Sequence, residues 1–279
     1  MNHTGSPAGA GEPVFLRSVQ SMTISIQKIA IPDFGRPAER PEIGAEILNS
    51  RVKRFLHRIA EGGYDAAVVY GDREHFANIR YLTGFDPRFE EALFIIHKNG
   101  ERTLILGNEC FPAAANIPVP CPAILYQDFS LPGQDRSKSA DLPEALAKAG
   151  LKSGMRVALL GWKTLSGGKL EVPHFIVAAL EGLIGGTPEN ANDILMGVNG
   201  GLRIRLEPEQ VADFEFSGCV ASDSLFRLFS VLRPGIREFE AASVVDTRGV
   251  EHAYHPIVKF GRTIPYSLVS PGMGELEAG

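Results

Sequence analysis

The stretch ALFIIHKNGERTLILGN, residues 92–108, holds two apolar runs joined through Asn99-Gly100, the strongest short-range signal for a β-hairpin. It predicts two antiparallel strands. Upstream, DAAVVYG (65–71) reads as a short buried strand; downstream, AILYQ (123–127) and MRVALLGW (155–162) read as two more. Helical patterns lie between them. Ile47, Leu48, Val52, Phe55, Leu56 and Ile59 recur at helical spacing until Gly62-Gly63 stops them. DLPEALAKAG (141–150) offers Asp141 as N-cap, Glu144 three residues on and Gly150 as terminator. VPHFIVAALEGLIGG (172–186) is a helix closed by two glycines. Helices alternating with strands over residues 45–190, around one antiparallel hairpin, predict a three-layer α/β domain with a mixed sheet.

Residues 1–44 are rich in Gly, Pro, Ala and Ser and read as a flexible N-terminal arm, within which Met22 is an alternative start. The α/β domain is assigned to residues 45–195, and GVNGG (197–201) reads as the hinge to a second unit, 196–279. There LEPEQVADFEFSGCVASDSLFRLFSVL (206–232) is a long helix with Pro208 in its first turn, ended by RPG (233–235). A second helix is expected over 237–254 and a strand over PIVKF (256–260). One strand cannot bury two helices. The apolar positions Val211, Phe214, Val220, Leu225, Phe229, Leu232 and Val245 are therefore expected to stay uncovered and to drive association.

The 279-residue chain is 44% hydrophobic, with 28 Lys and Arg against 33 Asp and Glu. A net charge of −5 without a basic block excludes a nucleic-acid-binding surface of the usual kind. No apolar run has the length of a membrane span, and the first residues lack the basic and apolar regions of a secretory leader, which places the chain in the cytoplasm. Cys110, Cys121 and Cys219 are odd in number and widely spaced, as reduced, partly buried thiols are.

Chemistry is sparse. No HExxH or GxSxG pattern occurs. The loop LLGWKTLSGGKLEV (159–172) fails the phosphate-loop pattern, with Lys163 and Leu170 where Gly and Ser or Thr are needed. Glu251, His252 and His255 are the nearest thing to a metal-ligating group, but read better as a solvated helix end. His75 and His97, on a short helix and a strand, read as hydrogen-bonded structural residues. No catalytic and no metal-ligating residue is assigned.

One more run, NIRYLTGF (78–85), is too apolar for a surface turn and too Gly-broken for a long helix. Its side chains suit pinning a short helix to a sheet, with Gly84 allowing a sharp turn. With the strand ending in Tyr70-Gly71 before it and EALFIIHKNGERTLILGNE after it, this run resembles the N-terminal domain of the creatinase, prolidase and aminopeptidase P family. LRIRLEPEQVADF and LRPGIREFEAAS are similar to the family's linker and first catalytic-domain helices through Arg205, Glu209, Pro234-Gly235, Glu238 and Ala241-Ala242, although Arg237 replaces the usual Ser or Thr cap. The resemblance implies a creatinase N-terminal-like domain followed by the start of a pita-bread α+β domain. It implies peptide-bond hydrolysis next to proline, on small proline-containing peptides, with two divalent cations (manganese, cobalt or zinc) sharing a hydroxide. In relatives the five metal ligands follow the segment where this sequence stops, and Tyr266, Ser267 and Leu268 stand where an orienting His often occurs. The chain alone is then expected to be inactive; the alternative is a non-catalytic paralogue that binds or dimerises. The resemblance also implies a homodimer, with Phe85, Asp86 and Arg88 as candidates for an exposed substrate rim.

Overall fold

A computed structural model of the chain describes residue 35 and residues 37–278 apart from 139 and 267. Most of the expected N-terminal arm, with Met22, and Ser267 lie outside the described residues. Among those described, six strands form one sheet in the order β4-β3-β2-β1-β5-β6. Helix α1 (Ala45–Glu61) leads into β1 (Ala66–Gly71), a short α2 (Ala77–Thr83), and the hairpin β2 (Ala92–His97) and β3 (Arg102–Leu106). The sheet and its helices continue through β4 (Ala123–Leu125), α3 (Leu142–Lys148), β5 (Val157–Leu160), α4 (His174–Ile184), β6 (Glu189–Asn190) and α5 (Asp193–Met196). β2 is antiparallel to β1 and β3, while β1 and β5, β3 and β4, and β5 and β6 are parallel. The mixed three-layer α/β architecture is thus present, with the hairpin where Asn99-Gly100 puts it.

Period-two alternation sorts the strands between two cores. Val69, Phe94, Ile96 and Leu104 face α1 and α2, meeting Val52, Phe55, Ile59, Ile79 and Leu82. Val68, Leu93, Ile95 and Ile105 face α3 and α4, meeting Leu142, Leu146, Ile176 and Leu180. Asp141 caps α3 as expected, its Oδ1 accepting from the Glu144 N–H at 2.8 Å.

The run NIRYLTGF is itself the helix. It fills α2, and Gly84 stands just past its end at φ 76°, its N–H donating to the Arg80 carbonyl. A Cβ there would meet Leu48 Cδ1 at 3.0 Å in a conformation that side chains disfavour. Thr83 Oγ1 donates to the Ile79 carbonyl at 2.8 Å and accepts from the Phe85 N–H at 3.0 Å, closing the turn. Tyr81 reaches the linker, donating to the Leu202 carbonyl at 3.0 Å, and carries the Arg51 guanidinium 4.3 Å above its ring. Arg51 and Arg54 both pair with Glu207, the residue that precedes α6 (Pro208–Val231). The aromatic in the run therefore clasps the start of the long helix.

Beyond α6 the structure departs from expectation. α7 covers only Glu238–Ala242. Arg237 offers its cap no acceptor, so only the reverse bond forms, from the Arg237 N–H to Glu240 Oε2 at 3.0 Å. Residues 256–260 form no strand among those described; irregular chain leads into a 3-10 turn, Gly261–Tyr266. Glu238 organises this stretch. Fully buried, it accepts from Lys259 Nζ at 2.9 Å, the Gly272 N–H at 2.8 Å and the Phe260 N–H at 3.1 Å, and from Thr263 Oγ1. Burial opposes its charge, but these donors win and hold its pKa down at about 2.

Candidate functional site

The carboxyl ends of β1, β3, β4, β5 and β6 and the amino end of β2 share one edge of the sheet. The turn carrying the expected rim residues, 85–91, lies on it. Phe85 is 5% exposed and belongs to the core beneath α2, so its assignment to an exposed rim is corrected: the Thr83–Phe85 turn points the ring inward. Asp86 is half-buried and accepts from the Arg88 N–H at 2.9 Å. Arg88, at φ 40°, pairs with Asp86 at 3.3 Å and with Glu251 at 2.7 Å. Neither is a freely solvated side chain; Arg88 ties the turn to the C-terminal segment.

The exposed aromatic on this turn is Phe89, 62% exposed. Glu90 behind it is buried and accepts from the Glu109 and Cys110 N–H groups, both at 2.9 Å, fixing the turn against the end of β3. Sequence reasoning passed over both residues. The available signal was FEE directly before an apolar strand, where one of two adjacent carboxylates must face inward as the alternation begins.

A second polar group sits beside it. The Tyr70 hydroxyl lies 3.2 Å from both Asp72 Oδ2 and Glu91 Oε1. One phenolic proton cannot serve two carboxylates at once. Burial raises the Glu91 pKa above its ordinary value, whereas for Asp72 burial is outweighed by hydrogen bonds from His75 and the Glu74 and His75 amides, which lower it. His75 belongs to the loop before α2 rather than to a helix. His97 is structural, as expected, its Nε2 2.7 Å from the Ala149 carbonyl.

Among the described residues no three His, Cys, Asp or Glu side chains are grouped so as to hold a metal ion. Glu251 turns to Arg88 and Arg40, and the His255 ring stacks on Tyr254 with centroids 4.3 Å apart. These groups lie in irregular chain, not at the helix end expected of them. Burial pushes the Cys110 and Cys121 thiols up to about 12, which leaves both unreactive at neutral pH. The described residues thus offer a shaped, polar sheet edge and no dinuclear metal centre.

The described residues form a three-layer mixed α/β sheet whose following long helix is clasped to it through Glu207. Residues 51–168 match the model of the creatinase/prolidase N-terminal domain. No curated protein matches the chain in sequence. Solved structures share its fold. The prolidase from Pyrococcus furiosus has a TM-score of 0.60 at 14% identity, with 81% of this chain and 62% of that one covered. The X-Pro aminopeptidase from Thermotoga maritima MSB8 has 0.57 at 16% identity, with 82% and 58% covered. Dipeptidase PepE from Mycobacterium ulcerans has 0.56 at 16% identity, with 88% and 60% covered. The chain spans about half the length of the prolidase from Pyrococcus horikoshii OT3, 47%, at a TM-score of 0.52 and 14% identity. At these identities the likeness is one of fold. No helix among the described residues is long and apolar enough to cross a membrane.

Proposed function

We propose that this chain provides the N-terminal domain and first helices of an Xaa-Pro-specific metallopeptidase of the aminopeptidase P or prolidase type, acting as a cytoplasmic homodimer on small proline-containing peptides. The observation that carries the reading is the surface of α6. Val211, Phe214, Leu225 and Phe229 lie between 49% and 60% exposed along one side of the helix, an apolar stripe suited to a further sheet. Val220 departs from the expected pattern in being buried, and Leu232 and Val245 are half-buried. The hydrolytic centre, with two cations of manganese, cobalt or zinc, falls to groups other than those described. The described donors do not fit it, and no step is assigned to them.

The test is hydrolysis of Ala-Pro and Gly-Pro by the product of the whole reading frame that contains this sequence, with each metal added in turn. Metal-dependent cleavage by that product, with none by residues 1–279 alone, is the expected result. No cleavage with any of the three metals overturns the peptidase reading. The second reading, a non-catalytic relative that binds or dimerises, is favoured by Leu268, 72% exposed, in the segment where the family often carries an orienting His. A stable dimer without hydrolysis is its signature.

A further inference from the structure

The sheet has a switch point between β1 and β5. From β1 the chain passes through α2 to β2 on one side; from β5 it passes through α4 to β6 on the other. α2 and α4 pack on opposite faces, through Ile79 and Leu82 in one core and Ile176 and Leu180 in the other. Chains that diverge in this way leave a crevice outside the carboxyl ends of the two strands, where open α/β sheets hold their ligands.

Here a cavity of about 420 Å³ occupies that place, lined among others by His75, Asn78, Trp162, Met196, Arg203 and Ile204. His75 comes from the exit of β1 and Trp162 from the exit of β5. Their rings stack across the crevice at 3.9 Å between centroids and 19° between planes. Both are fixed from behind. Asp72 Oδ1 lies 3.0 Å from His75 Nδ1 and accepts from the His75 N–H at 2.8 Å, and Glu171 Oε1 accepts from the Trp162 and Lys163 N–H groups at 2.8 Å.

The third wall carries charge. Arg203 Nη1 donates to Asn78 Oδ1 at 2.7 Å, and the Asn78 amide nitrogen is held in turn by the Gly161 carbonyl at 2.7 Å. Arg203 forms no ion pair among the described residues, and burial lowers its pKa below the ordinary value. A half-buried guanidinium with one neutral acceptor has N–H groups left for an anion, and bidentate pairing with a carboxylate or phosphate is the geometry it favours. Glu74, the one carboxylate lining the cavity, is exposed.

We propose that this crevice binds a small molecule carrying an oxyanion on a planar or apolar body, the oxyanion on the Arg203 guanidinium and the body against Trp162, Met196 and Ile204. The site uses none of the residues of the peptidase reading and stands independently of it. The oxyanion is supplied by a carboxylic acid or by a phosphate.

Trp162 is the chain's single tryptophan, so its fluorescence reports directly on the crevice. The experiment titrates the 279-residue chain with 3-phenylpropionate and with adenosine monophosphate, using 3-phenylpropionamide and adenosine as uncharged controls. A saturable change with either acid, absent with its control, is expected. Response to the first acid alone assigns a carboxylic acid, to the second alone a phosphate, and to both the shared oxyanion. Arg203→Gln is expected to weaken binding at least about tenfold, as loss of one charge-assisted contact does. If that variant fails to fold, His75→Ala, which removes the stack and leaves the guanidinium, is expected to weaken binding about fivefold. No saturable response to either acid up to about 10 mM, an equal response to the controls, or binding unaltered in the folded variant overturns the proposal.

Discussion

Strand β2 and helix α6 are extremes of burial within one chain. All six residues Ala92–His97 are buried, whereas of the twenty-four in Pro208–Val231 only Val220 and Ser224 are. Both carry large apolar side chains, so composition does not separate them. What separates them is the number of neighbours on offer. β2 lies between β1 and β3 with helices above and below, while α6 is held by the Glu207 clasp at its start and by a small cluster around Ile236, Ala241 and Val258 at its far end. The first region is complete in itself; the second is a helix with one side spare.

That contrast breaks most readily at the sheet. Phe94→Ala removes a fully buried ring and is expected to destabilise the chain by about 3–5 kcal/mol, read as a lower urea midpoint. A loss below about 1 kcal/mol would mean the core is looser than the burial indicates. Next in size is Glu238→Ala, which leaves Lys259 without its carboxylate and is expected to cost about 3 kcal/mol, confined to residues 256–276 in hydrogen exchange. Protection lost evenly over the sheet as well would contradict the separation of the two regions. The same carboxylate gives the C-terminal stretch an acid sensitivity. Its folded pKa, about 2, lies below the ordinary 4.5, so its contribution is full above pH 4.5 and fades as pH falls toward 2. Pepsin cleavage, scaled to an unstructured peptide, should rise in that stretch across the same interval; a flat profile would argue against it.

Smaller is Asp141→Ala, which strips the N-cap of α3 and is expected to lower stability by about 1 kcal/mol, with Asp141→Asn restoring most of it. The smallest change in stability, within about 0.5 kcal/mol, is expected for Phe214→Ser with Phe229→Ser, since both rings are already exposed. Their effect belongs to association instead. Light scattering of the 279-residue chain should show the parent self-associating and the double variant markedly less so; a monodisperse monomeric parent would sink the idea that this stripe seeks cover.

Sequence was a good guide wherever local chemistry decides structure. Asn99-Gly100 set the hairpin, the Ile47-to-Ile59 spacing set α1, and Asp141 capped α3. It was a poorer guide where a partner decides. The pattern of residues 237–254 reads as a helix, yet only Glu238–Ala242 is one; beyond it the chain is irregular and tied by side-chain contacts, Ser224 and Arg227 to Asp246 and Arg88 to Glu251, and among the described residues PIVKF pairs with no strand. In α2 the Gly that appeared to break a helix stands one residue beyond it, a placement only the backbone reveals. Of the candidate site, Asp86 and Arg88 were visible as polar residues after a turn, but their engagement with each other and with Glu251 was not. The inward turn of Phe85, the outward turn of Phe89 and the His75–Trp162 stack depend on segments far apart in sequence, and no spacing rule signals them.

The two outermost strands have a further consequence. β4 is three residues long and β6 only two, so neither border of the sheet presents a run of unpaired backbone groups long enough to template another chain. Polymer growth by strand addition, the route to fibrils, has no foothold there. Self-association of this protein should then run through side chains on the helix, remain dissociable on dilution, and yield discrete particles instead of filaments.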